Sequence, residues 1–116
     1  MIFTPTTLKD CYTIELEQIA DNRGWFARYF SKKDFEKINH HKEWVQMNHS
    51  FTAKKGTIRG MHYQVAPYGE IKLVRCISGA VLDVVVDLRK KSSTFLQWFG
   101  IELSAQNKKM IYIPEG

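Results

Sequence analysis

Apolar and polar residues alternate with period two in short stretches along most of the chain, so strands dominate the expected structure. Tyr12, Ile14 and Leu16 fall on one face and Thr13, Glu15 and Glu17 on the other, the pattern of a strand with one solvated side. Asp21-Asn22-Arg23-Gly24 reads as a turn, and Trp25 to Phe30 as an aromatic-rich strand. Ser31-Lys32-Lys33-Asp34 has capping-box spacing ahead of Phe35 and Ile38, which predicts a short helix over 32–39 that packs through those two residues. Further strands are expected over 44–51, 57–64, 71–78, 81–88, 95–103 and 109–113, punctuated by Lys55-Gly56, Pro67-Tyr68-Gly69, Ser78-Gly79 and Gln106-Asn107. Closely spaced strands of this kind predict an all-β sandwich, jelly roll or barrel with one short helix.

A length of 116 residues, 44% hydrophobic and 25% charged, fits a single domain over 1–116 built on one core. Tyr112-Ile113-Pro114-Glu115-Gly116 runs from a strand straight into turn residues, so the chain is expected to be incomplete and to expose a sheet edge that another segment or subunit covers. No apolar run reaches the ~18 residues of a membrane span, and the start, MIFTPTTLKD, lacks a secretory pattern, so a cytoplasmic protein with no membrane partner is expected. Cys11 and Cys76 have no CxxC spacing and read as free thiols. The excess of 17 Lys and Arg over 12 Asp and Glu favours an anionic partner. Its distribution argues against nucleic acid: Lys32-Lys33, Lys54-Lys55, Lys90-Lys91 and Lys108-Lys109 are scattered doublets beside turns, read as solvated loop ends.

The densest set of chemically capable residues runs through Gln46, Asn48 and His49, then Arg59-Gly60-Met61-His62, then Lys72. Strict alternation points Arg59 and His62 to opposite faces, but a bulge at Gly60 would bring both onto one. Lys72, Val74 and Cys76 share a face, as do Val81, Asp83, Val85 and Asp87, so a hairpin about Gly79 would set Lys72 beside Asp83 inside a barrel. His40, His41 and His49 read as structural residues. A metal centre is the natural rival in a small β barrel, yet His62-Tyr63-Gln64 followed by Glu70 lacks the second histidine of an HxH site, so no metal is expected. Neither GxGxxG nor GxxxxGKS occurs, so the sequence has no Rossmann or P-loop nucleotide signature.

The runs DNRGWFARYF, VQMNHSF, KGTIRGMHYQ, KLVRCISGAVLDVVVDLR and TFLQWFGIELSAQNKKMIYIPEG resemble successive blocks of the dTDP-4-dehydrorhamnose 3,5-epimerase family, in order and over nearly the whole chain. The resemblance implies a cupin-type jelly roll, incomplete at its C-terminal end, that acts without cofactor on a nucleotide-linked 4-keto-6-deoxy sugar. It implies that His62 removes the protons at C3 and C5 and that Lys72 stabilises the enolate at the C4 oxygen, with Asp83 as possible support. Arg59, Gln46 and Asn48 match positions that hold sugar and pyrophosphate. Arg23 and Phe26 match a segment that reaches the neighbouring subunit's nucleotide in a homodimer. The chemistry is consistent: imidazole ordinarily titrates near neutrality, and charge developing on oxygen needs a fixed cation or donor. Arg28 departs from the Glu of many members, which bears on which nucleotide or sugar is taken. Members also continue past IPEG with a segment supplying a Tyr proton donor and an Asp that pairs with the base. A chain without that segment has an alternative reading, a half-cupin that binds a nucleotide sugar or pairs with another chain without turnover. A metal-dependent cupin enzyme is a third.

Overall fold

A computed structural model describes residues 1–116. In chain order its elements are β1 (Ile2–Pro5), β2 (Tyr12–Glu15), β3 (Ile19–Asp21), β4 (Gly24–Phe26), α1 (Lys32–Phe35), a 3-10 turn (Glu36–Ile38), β5 (Lys72–Arg75), β6 (Ala80–Val86), β7 (Trp98–Ser104) and β8 (Met110–Ile113). The central sheet is antiparallel in the order β1-β2-β8-β5, while β3-β4 and β6-β7 form separate two-stranded sheets. This is the expected mostly-β class with one short helix. No helix is long and apolar enough to cross a membrane.

Apolar side chains on both faces of the central sheet decide how the layers stack. Along β8, Met110 and Tyr112 turn to one side and Ile111 to the other, and all three are buried, as a strand covered on both faces requires. Tyr12, Ile14 and Leu16 turn together to the first side, as their alternation predicts, and meet Phe35, Phe3 and Leu73 there. The other side carries Ile111, Val74 and Ile113, which pack against Val85 and Leu103 of the β6-β7 layer. Burying each such residue is worth about 1.5–3 kcal/mol. The single expected core is thus two clusters separated by one sheet.

The helical stretch runs over 32–38, close to the expected 32–39, as one α turn continued by a 3-10 turn, but its capping box does not form. The Ser31 carbonyl accepts from the backbone N–H groups of Asp34 and Phe35, both at 3.0 Å, but the Ser31 hydroxyl makes no cap bond. Asp34 instead accepts from Lys37 Nζ at 2.9 Å, and Asn39, left-handed at φ 59°, ends the element. Phe35 packs as expected: it is fully buried, with the rings of Phe3, Phe30, His40, Trp44 and Tyr112 within 5.2–6.3 Å.

Three further expectations are corrected. No strand forms over 44–51 or 57–64; Val45, Met47, Phe51 and Ile58 of that region are more than four-fifths exposed. Backbone bonds there are local, as from Thr57 N–H to the Lys54 carbonyl and from Tyr68 N–H to that of Val65. Alternation permits a strand, but only a neighbouring strand makes one, and none lies beside this segment. The bulge at Gly60 consequently has no strand to interrupt, although Gly60 takes φ +145°, which favours glycine. Finally, β5 and β6 form no hairpin about Gly79: β5 pairs with β8 and β6 with β7, so the turn at Ser78-Gly79 carries the chain from one sheet to the other. Two short strands, β1 and β3, were not anticipated.

Candidate functional site

Lys72 opens β5, and because residues two apart share a face, its side chain turns with Val74 toward the β6-β7 layer. Asp83 lies on β6 in that layer. Burial pushes its carboxyl above the ordinary carboxylate value, and the positive charge of Lys72 pulls in the opposite direction. Lys72 and Asp83 thus belong to two stacked sheets rather than one hairpin, and no ion pair joins them. Glu70, two residues before Lys72, accepts a hydrogen bond from the Lys72 ammonium, and both side chains are a little over one-third exposed. Below Asp83, burial raises the Cys11 thiol's pKa, with a smaller push in the same direction from Asp83.

The other expected site residues do not gather at Lys72. Gln46, Asn48, Arg59 and His62 lie in the segment without strands between the 3-10 turn and β5, all exposed. Arg59 turns back on that segment, donating through Nε to Thr52 Oγ1 at 3.2 Å and through a terminal nitrogen to the Phe51 carbonyl at 2.9 Å. Arg23 occupies the β3-β4 turn and pairs with Asp21, whose carboxylate also accepts from the Arg23 backbone N–H at 2.9 Å. Phe26 is on β4 and two-thirds exposed. That hairpin region rests against the opposite end of β5 from Lys72: the Arg75 guanidinium lies 4.8 Å from the Tyr29 ring, and the Lys108 ammonium 5.1 Å from the Trp25 ring. Lys108 is therefore not merely a solvated loop end, and neither is Lys109, which pairs with Glu15 at 3.2 Å. No three His, Cys, Asp or Glu side chains converge as metal donors.

Two polar groupings fall outside the sequence reading. Glu70 appears there only as a candidate metal ligand, although it stands two residues before Lys72 and bonds its ammonium. The second grouping is structural. Asp87, buried at the end of β6, accepts from the Arg89 backbone N–H and Nε at 2.9 Å each and from the Ser92 and Thr94 hydroxyls at 2.6 Å. Those bonds, chiefly from Arg89, hold the Asp87 carboxyl well below the usual carboxylate range. His40 is also buried, stacked on Trp44 at 4.6 Å and bonded through Nδ1 to the Tyr112 hydroxyl at 3.2 Å. It fastens the start of the 40–71 segment to the sheet, consistent with its structural reading.

This architecture and sequence have close counterparts. The model of the family described as dTDP-4-dehydrorhamnose 3,5-epimerase matches residues 5–116. The dTDP-4-dehydrorhamnose 3,5-epimerase of Shigella flexneri is 47% identical over 96% of this chain and 61% of its own length. The crystal structure of the enzyme of that name from Elizabethkingia anophelis is 42% identical, with a TM-score of 0.91 over 100% of this chain and 63% of that one. The structure from Bacillus anthracis, with TDP and pyrophosphate bound, is 40% identical with a TM-score of 0.93 over 99% of this chain and 66% of that one. The chain thus spans a little over three-fifths of the length of these relatives. With the match running through every block from the first strand to the last, it belongs to the dTDP-4-dehydrorhamnose 3,5-epimerase family.

Proposed function

We propose that residues 1–116 form a single domain whose site serves epimerisation of a nucleotide-linked 4-keto-6-deoxy sugar by proton removal next to the ketone. Family membership over residues 5–116 is the observation that carries this reading. The half-buried position of Lys72, turned toward the β6-β7 layer, supports it. His62 takes the proton from C3 or C5, the electron pair moves into the ring carbon–C4 bond, and the C4 oxygen becomes an enolate that the Lys72 ammonium stabilises. Return of a proton to the opposite face restores the ketone with inverted stereochemistry. The cycle is redox-neutral and asks for no cofactor. Asp83 supports Lys72 from the facing layer. Arg59, Gln46 and Asn48 hold sugar and pyrophosphate once the 40–71 segment closes on ligand.

Arg23 and Phe26 serve a second copy's nucleotide in this reading, so a homodimer is part of it; their display on the β3-β4 hairpin, away from their own Lys72, supports it. The relative with TDP and pyrophosphate bound supports a thymidine nucleotide as the carrier. A second reading is favoured by the exposure of His62 and its separation in the fold from the strands that hold Lys72: the chain binds the nucleotide sugar without turning it over.

Incubation with dTDP-4-keto-6-deoxyglucose in D2O, followed by NMR at C3 and C5, separates the two. Deuterium uptake that disappears in His62→Ala is expected. Binding without uptake in a folded sample would favour the second reading.

A further inference from the structure

We infer that Glu70 is a positioning residue for Lys72: its carboxylate holds the ammonium at a half-exposed position, apart from Asp83 in the facing layer. The inference rests on the proposed role of Lys72 and deepens it.

Glu70 lies just outside the sheet. β5 pairs antiparallel with β8 from Lys72 opposite Ile113 onward, and beyond that end of the ladder the chain at Gly69 comes close to the Glu115 side chain. Carboxylates brought to the same strand end repel unless each is neutralised. Each has its own lysine: Lys42 bonds Glu115 and Lys72 bonds Glu70. The backbone beside Glu70 is held close, since a Cβ added at Gly69 would lie 3.3 Å from the Glu115 Cδ. Glu70 therefore starts from a backbone braced against the strand end, and its side chain bonds the Lys72 ammonium.

The Glu70 and Asp83 carboxylates are not equivalent. Asp83 lies between the layers, where burial disfavours its charge. Glu70 is more than one-third exposed and keeps its charge hydrated. A lysine left with Asp83 alone would be drawn inward to neutralise a desolvated carboxylate. Glu70 holds it outward, at the position an electrophile for an incoming carbonyl oxygen must take.

The test compares Glu70→Ala and Glu70→Gln with the wild-type chain, each shown by its amide NMR spectrum to be folded. The titration midpoint of Asp83 is followed by carboxyl 13C shifts, and the Lys72 Nζ–H signal by 15N correlation. In Glu70→Ala the ammonium passes to Asp83, so the Asp83 midpoint falls. Glu70→Gln, which keeps an acceptor oxygen at that position, restores the wild-type midpoint in part. An Asp83 midpoint and a Lys72 signal both unmoved in Glu70→Ala would overturn the inference. Deuterium exchange into the keto sugar is the second readout: Glu70→Ala is expected to lower the maximal rate about tenfold with KM little changed, and Glu70→Gln to recover most of it. A rise in KM alone would assign Glu70 to ligand binding and overturn the positioning role. Failure of the wild type to exchange would count against the proposed function, and the Asp83 titration would still decide whether Glu70 holds Lys72.

Discussion

Replacing Phe35 by alanine tests how the helical turn is tied to the sheet and, through it, how the 40–71 segment is anchored. Phe35 is fully buried and is the only buried residue of α1. Its ring meets Phe30 at 5.2 Å, Phe3 at 5.3 Å, His40 at 5.9 Å, and Trp44 and Tyr112 at 6.3 Å each. Truncating a buried Phe removes its transfer energy and leaves a cavity, together costing about 3–5 kcal/mol. The rings around it belong to β1, β8 and the chain on both sides of the helical turn, so the cavity cannot close by moving one side chain. A loss of that size is a large part of the roughly 5–15 kcal/mol that stabilises a typical domain. Urea unfolding followed by far-UV circular dichroism reads it directly. With a slope of about 2 kcal/mol per molar, the midpoint should fall by about 2 M at unchanged slope. Ile19→Ala is the control, because Ile19 is 74% exposed and should lose less than about 0.5 kcal/mol. A Phe35→Ala loss under about 1 kcal/mol, or one no larger than the control's, would refute the claim that this ring ties helix, sheet and segment together.

Three other outcomes are expected. Asp87→Asn should cost about 2–4 kcal/mol, below the extreme for a buried pair because Arg89 is one-quarter exposed. Since Asp87 titrates below its unfolded value, that stability is present above about pH 4 and is lost as pH falls below it, so wild type and variant should converge in acid unfolding. His40 has its pKa lowered by burial and stays neutral in the fold, so its contribution is complete above the ordinary imidazole value of about 6.5 and declines as pH drops below it. Urea midpoints at pH 7.5 and 5.5 should differ less in His40→Leu than in wild type; an unchanged difference would remove His40 as the source. Lys72→Ala should abolish most deuterium exchange while leaving calorimetric binding of the nucleotide nearly intact, and equal loss of both would mean that Lys72 only positions ligand.

Local pattern was enough to locate much of this molecule. Tyr12, Ile14 and Leu16 share a buried side because period two is a property of any extended chain and holds whichever strand lies alongside. Gln106-Asn107 marks a real turn, where Asn107 Oδ1 accepts from the Ser104 and Lys109 backbone N–H groups at 3.0 and 2.9 Å. Phe35 and Ile38 pack as their spacing requires. The family blocks were legible for the same reason, since they are runs of contiguous residues.

Pairing was not legible, because it is a relation between distant parts of the chain. Val45, Met47 and Phe51 alternate with polar residues much as β2 does, yet that segment remains unpaired and these side chains exposed, whereas β8 finds two neighbours and buries both faces. The sequence by itself determined the inner and outer faces of β2, the strand-forming run of β8, the turn at Gln106-Asn107 and the residues capable of proton chemistry, all local consequences of backbone geometry and side-chain type. Only the tertiary structure decided that β5 joins β8, so that Lys72 turns toward the layer that holds Asp83 and pairs with Glu70 just before its strand, because desolvation exists only once separate layers close on one another.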